Sequence, residues 1–170
     1  MKNMKKVIIL IVLFSGFAVS SFAQTSAGAN AAATIVTPIS ISKVTDLNFG
    51  NISLNPTSPG GTVYLAPSAA GTRTPSAGVS LPSVTGTVSA AKFGVGGEGT
   101  STFSIGIPSS ITINGPSSST MSIVPESSPA STGTLVGGAL DLYVGGTITV
   151  GSSQTLGAYT GTFAVTVNYN

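Results

Sequence analysis

Any acid–base chemistry in this chain would rest on four carboxylates, Asp46, Glu98, Glu126 and Asp141, because the sequence contains no histidine and no cysteine. That absence removes Ser-His-Asp and Cys-His nucleophiles, and with them the commonest zinc and copper ligands. A glycosidase dyad needs two carboxyls brought face to face by the fold. The four acids are widely spaced with no second catalytic feature beside any of them, so each is expected on a solvated loop or an outward strand position. A calcium site usually needs clustered acids, and no cluster occurs. Residues 94–99 (GVGGEG) invite comparison with a phosphate-cradling loop, but such a loop leads into a helix. Here Phe103-Ser104-Ile105 follows, alternating as a strand does, so the glycines are expected to form a hairpin turn. Asn51-Ile52-Ser53 matches the N-glycosylation sequon, a short pattern that arises by chance. Tryptophan is absent and there are four tyrosines, so flat platforms for sugars are poorly supplied. The residues predict a protein that is not an enzyme and that holds no metal and no cofactor.

The elements behind these residues read as strands. Residues 157–170, GAYTGTFAVTVNYN, alternate without a break. Gly157, Tyr159, Gly161, Phe163, Val165, Val167 and Tyr169 share one face, and Ala158, Thr160, Thr162, Ala164, Thr166 and Asn168 share the other. Successive strand side chains point to opposite faces, so this is the pattern of a half-buried strand. Such a strand must pair within its own sheet or meet another molecule.

The same period recurs upstream. Ile35, Thr37, Ile39 and Ile41 alternate, with Pro38 suggesting an edge or bend. Residues 47–52 predict a short strand with a bulge or turn at Gly50, and 55–61 a loop. Strands are expected at 62–66, 79–81, 84–95, 103–107, 111–113 and 121–124. Asn114-Gly115 is a two-residue turn signal. Leu140, Leu142 and Val144 share a face, and Gly145-Gly146 is expected to bulge or turn the chain into Ile148 and Val150. No segment sustains a helical period. Short strands at intervals of about 8 to 12 residues, broken by Gly and Pro, predict an all-β antiparallel sandwich, immunoglobulin-like in outline.

The first 23 residues read as a secretory signal peptide. Lys2, Lys5 and Lys6 precede an apolar run from Val7 to Val19, and Ser21-Phe22-Ala23 offers small residues for cleavage. The run is 13 residues long, short of the roughly 20 that span a bilayer. Residues 24–34 are then a flexible arm and 35–170 a single domain. Without the leader, Lys43, Arg73 and Lys92 face the four acids. No basic patch is left for nucleic acid, and little net charge keeps molecules apart.

Taken together, the segments Leu47-Asn48-Phe49-Gly50-Asn51-Ile52, residues 144–150 (VGGTITV) and residues 157–169 resemble a bacterial exported domain-of-unknown-function family, number 4402 in its series. The final segment also resembles the end of chaperone–usher pilin and spore-coat-U-like subunits, with Gly157 fourteenth from the end and Tyr169 penultimate. That likeness implies an incomplete immunoglobulin-like fold whose groove beside the last strand takes a neighbour's N-terminal segment. It also implies a periplasmic chaperone as a partner. Gly157, Tyr159, Phe163, Val165, Val167 and Tyr169 would form the subunit-contact strand. The donor would be the arm up to Ile35, or else a longer segment carrying Ile35, Ile39 and Ile41. The expectation is an exported, non-enzymatic structural protein of the cell surface, fimbria-like or fibre-forming, with itself or related subunits as partner. The alternative is a self-contained secreted adhesin or binding domain. Whether the first strand pairs within its own domain or in a neighbour is left open by the residues.

Overall fold

The computed structural model describes residues 24–55 and 57–170, and the expected signal peptide lies outside them. The chain divides into two compact units, Met1–Thr34 and Ile35–Asn170. In the first, residues 24–34 have no regular secondary structure and every one is exposed. Among the described residues no helix is long and apolar enough to cross a membrane.

The second unit is all-β. Its strands are β1 (Ser40–Thr45), β2 (Ser53–Leu54), β3 (Gly60–Leu65), β4 (Arg73–Pro75), β5 (Val79–Ser80), β6 (Ala91–Gly96), β7 (Thr102–Gly106), β8 (Ile111–Asn114), β9 (Thr120–Ser128), β10 (Thr132–Thr134), β11 (Ala139–Gly151) and β12 (Thr166–Tyr169). A short 3-10 turn, Pro116–Ser118, links β8 to β9. Every pairing is antiparallel. The larger sheet runs β1-β6-β11-β3-β4, with β9 and then β8 added on the other side of β11. A three-stranded sheet, β10-β7-β12, and a β2-β5 pair complete the fold.

β11 is the axis of this arrangement. Its residues 139–144 pair with β6, 146–151 with β3, and 143–149 with β9. The period of two puts Leu142, Val144, Ile148 and Val150 inward, all buried, and Asp141, Tyr143, Thr147 and Thr149 outward. Two cores form along it. One gathers Phe49, Val63, Leu65, Ile111, Ile123 and Ile148. The other packs Val95 and Leu142 of the large sheet against Phe103 and Ile105 of the small one, the face-to-face contact of a sandwich. Phe93 and Phe163, partly buried against different cores, meet edge to face at 6.3 Å.

The strand boundaries depart from expectation where the backbone changes partner. Gly145-Gly146 does not interrupt β11. The two glycines let it pass from β6 to β3 in one continuous strand, because the neighbouring chains come too close for a side chain. A methyl group on Gly145 would lie 2.1 Å from the Leu65 carbonyl oxygen, and one on Gly146 would lie 2.4 Å from that of Val124. The first strand begins at Ser40, and residues 84–90 are mostly irregular. Residues 47–52 hold only a single bridge, Asn48 with Ser89. The last strand keeps its alternating burial but forms a ladder only from Thr166, after a single bridge at Thr160.

Replacing Gly145 with Ala should therefore cost roughly 1–3 kcal/mol, the range for overpacking, and lower the urea midpoint. Gly94→Ala, whose methyl group would sit 3.5 Å from Ser42 Oγ, should leave the midpoint nearly unchanged.

Candidate functional site

Each carboxylate is held in a separate place. Asp46 pairs with Lys43 at 2.6 Å, and Asp141 with Lys92 at 2.8 Å, which raises the lysine's pKa. The Tyr64 hydroxyl donates to Glu126 at 3.2 Å. Glu98 accepts the Thr37 N–H at 3.0 Å. Among the described residues no three such side chains converge where they could hold a metal ion.

One concave feature of the domain is a cleft of about 680 Å³, within the size range of ligand sites. Its floor is the inner face of the large sheet: Ile111 and Ile113 of β8, Met121 and Ile123 of β9, Ile148 and Val150 of β11. One wall is the segment that follows β1, from Leu47 to Leu54, and the other is the segment from Gln154 to Phe163 that leads to β12. The cleft thus lies between the segment that follows β1 and the segment that leads to β12. Among the described residues no charged one lines it.

The first wall has little sheet to support it and is held by a few backbone and side-chain bonds. Asn48 and Ser89 exchange backbone bonds at 2.8 and 2.9 Å. The Arg73 guanidinium, delivered by β4, donates to the carbonyls of Phe49 and Asn51. Phe49 plugs the core beneath. Gly50 has a positive φ of 64°, and the Thr85 carbonyl oxygen would lie 2.3 Å from a side chain there.

The second wall turns on Tyr159. Its hydroxyl donates to the Thr155 carbonyl at 2.7 Å, accepts from Gln154 Nε2 at 2.6 Å, and lies 2.7 Å from Ser119 Oγ. Its ring covers Gly115 so closely that no side chain fits between. Thr160 and Asn114 then exchange backbone bonds at 2.9 and 2.8 Å, which fixes this wall to the edge of β8. Residues 161–165 belong to no ladder. Pairing resumes at Thr166 with Gly106 of β7. Extended backward, that register would set Ala164 opposite Pro108, which has no N–H to offer. The last strand therefore steps from the edge of one sheet to the edge of the other.

Beyond the cleft, β12 is the outer strand of its sheet, paired on one side by β7 and by no strand on the other among the described residues. Val165, Val167 and Tyr169 are only half-buried against the second core. A closed ring of three hydrogen bonds ties this end to the start of the domain. The Thr37 N–H donates to the Glu98 carboxylate at 3.0 Å, the Glu98 N–H donates to the Tyr169 hydroxyl at 2.7 Å, and that hydroxyl donates to the Thr37 carbonyl at 2.8 Å. The Thr37 amide holds the Glu98 carboxyl below the usual glutamate range.

Of the expected contact strand, Gly157, Tyr159 and Phe163 line the cleft, while Val165, Val167 and Tyr169 continue along the second core. The expected donor residues separate. Ile35 is 99 % exposed. Ile39 and Ile41 pack on the second core of their own domain, with Ile41 opposite Val95 of β6, so the first strand pairs in its own sheet. Arg73 and Pro108 carry no signal of these roles in the sequence, and Glu98 stands out there only as a carboxylate. Their roles depend on carbonyls and edges contributed by distant segments.

Residues 39–169 match the model of a family described as Domain of unknown function (DUF4402). The match takes in the floor and both walls of the cleft, and excludes residues 24–38. No curated protein matches the chain, and no solved structure matches it.

The Glu98 shift has a definite sign. A carboxyl with a depressed folded pKa contributes stability above its unfolded pKa and loses it as pH falls through the folded value. In an NMR titration the Thr37 amide should move with a midpoint below 4.5, the reference value for glutamate. In Glu98→Gln that movement should vanish.

Proposed function

The chain belongs to the DUF4402 family, and from that premise we propose that it is an exported, non-enzymatic structural protein of the bacterial cell surface, a fibre-forming subunit that assembles by β-strand addition. The observations that support this reading are the apolar-floored cleft between the segment after β1 and the segment before β12, and, on the second core, the edge of β12 that no strand pairs among the described residues. An unpaired strand edge is a ready template for another chain. An extended peptide added at that edge gains backbone hydrogen bonds, and one laid in the cleft gains side-chain contacts from its floor.

The arm offers matching chemistry. Ala27, Ala29, Ala31, Ala33 and Ile35 alternate with Gly28, Asn30, Ala32, Thr34 and Val36, so in extended form one face is wholly apolar. The arm is exposed throughout, and Ile35 is covered by nothing in its own domain. Burying Ile35 would contribute about 1.5–3 kcal/mol, and each alanine much less, so backbone pairing would supply a good part of the adhesion. In this reading a periplasmic chaperone shields the groove before assembly. A charge-poor exterior, unfavourable for a free monomer, is acceptable in an assembled one.

A second reading, a self-contained surface binding domain, is favoured by the in-domain pairing of β1 with β6. Shed cell-surface material run unboiled on a denaturing gel separates the two. The fibre reading expects a ladder that collapses to one band on boiling. Deleting residues 24–33 should remove the ladder and leave a folded monomer. A single monomer band from the natural chain, boiled or not, would overturn the fibre reading and favour the second.

A further inference from the structure

The ring formed by Thr37, Glu98 and Tyr169 joins three parts of the chain that are remote in sequence. Thr37 is the root of the arm, Glu98 sits in the turn between β6 and β7, and Tyr169 is the penultimate residue. Each of the three bonds has a different pair of residues as its ends, so the ring closes on itself. Immediately before it, Ile35 and Val36 are 99 % and 53 % exposed. Two residues after it, Ile39 is partly buried in the second core. The boundary between free chain and held chain therefore falls at this ring.

β1 needs such a holding point. It is an edge strand paired only with β6, and of its six residues only Ile41 is not exposed. Ile35, Thr37, Ile39 and Ile41 also share one face. Released, they would make a bulkier donor than the arm itself. A subunit with an exchangeable arm thus carries a competing way to exchange, through β1 as well.

We propose that the Thr37–Glu98–Tyr169 ring is a clamp that sets the limit of strand exchange. Residues 24–36 pass to the neighbouring subunit, while β1 stays in its own domain. This rests on the reading of the chain as a strand-exchanging subunit and adds where the exchanged segment ends. A fixed end matters because a run of alanines specifies register weakly. With the root clamped, Ile35 always stands the same short distance from its own domain, and the spacing between subunits is set.

The test uses a disulfide staple, which is clean because the natural chain has no cysteine. Ser42 and Gly94 are cross-strand partners on β1 and β6, and a Cβ on Gly94 would lie 3.5 Å from Ser42 Oγ. The full mature chain carrying Ser42→Cys and Gly94→Cys is oxidised as monomer, allowed to assemble, and compared with its reduced form by unboiled gel. The clamp expects equal ladders. It also expects that polymers oxidised after assembly boil down without reductant to monomer alone. In a Tyr169→Phe background, which loses two bonds of the ring, oxidation after assembly should give a boiling-resistant ladder that reductant removes.

Failure of the oxidised monomer to assemble where the reduced one does, or a boiling-resistant ladder without the Tyr169 change, would overturn the proposal by showing that β1 leaves its domain. A Tyr169→Phe polymer with no cross-linked ladder would overturn the ring's role as the clamp. If the natural chain never assembles, the strand-exchange reading falls, and this proposal with it. Should the first staple fail to fold, Ser40→Cys with Gly96→Cys, the next in-register pair on that face, supplies the same comparison.

Discussion

β11 hydrogen-bonds with β6, β3 and β9, and its inward side chains belong to both cores. A strand with both sides occupied by different partners along its length must let neighbouring backbones approach closely at the point of exchange. Two adjacent glycines meet that requirement, with Leu65 and Val124 carbonyl oxygens where side chains would otherwise be. The continuity of β11 keeps the two halves in one sheet. The floor of the cleft depends on it, since Ile148 and Val150 project from its second half while Leu142 and Val144 support the first.

The cleft follows from how the last strand is shared. It bonds to β8 at Thr160 and to β7 from Thr166, and between them it crosses from sheet to sheet without a partner. Pro108 makes that step unavoidable, because the β7 ladder cannot be extended past a residue with no amide hydrogen. On the facing side, residues 47–54 are held by Arg73 and by Asn48 with Ser89 instead of by a neighbouring strand of the large sheet. Neither wall fills the space over Ile113 and Met121, which remain only partly buried. Half-buried apolar side chains in an open cleft offer contacts to an extended peptide.

The charged groups divide their work differently. Lys43 with Asp46 is an exposed pair and Lys92 with Asp141 a partly exposed one, of the kind that contribute little. Arg73 and Glu98 are used on backbone groups, where a charged partner strengthens the bond. Both act at the beginning of the domain, Arg73 on the segment after β1 and Glu98 on the segment before it. The domain therefore anchors its first strand from both ends.

Periodicity and composition determined the class of fold and much of the last strand. Alternation is a local property, so the half-burial of Tyr159, Phe163, Val165, Val167 and Tyr169 was legible in the residues, as was the all-β antiparallel sandwich. The lack of histidine and cysteine likewise needed no structure to narrow the available chemistry. What only the tertiary structure decided was partnership. Alternation says which face of a strand is buried and nothing about which edge is paired, so the pairing of β1 with β6, the step of the last strand at Pro108 and the passage of β11 through Gly145-Gly146 could not be read in advance. The cleft and the Thr37–Glu98–Tyr169 ring are made of segments far apart in the chain, joined by bonds whose partners the local sequence does not name.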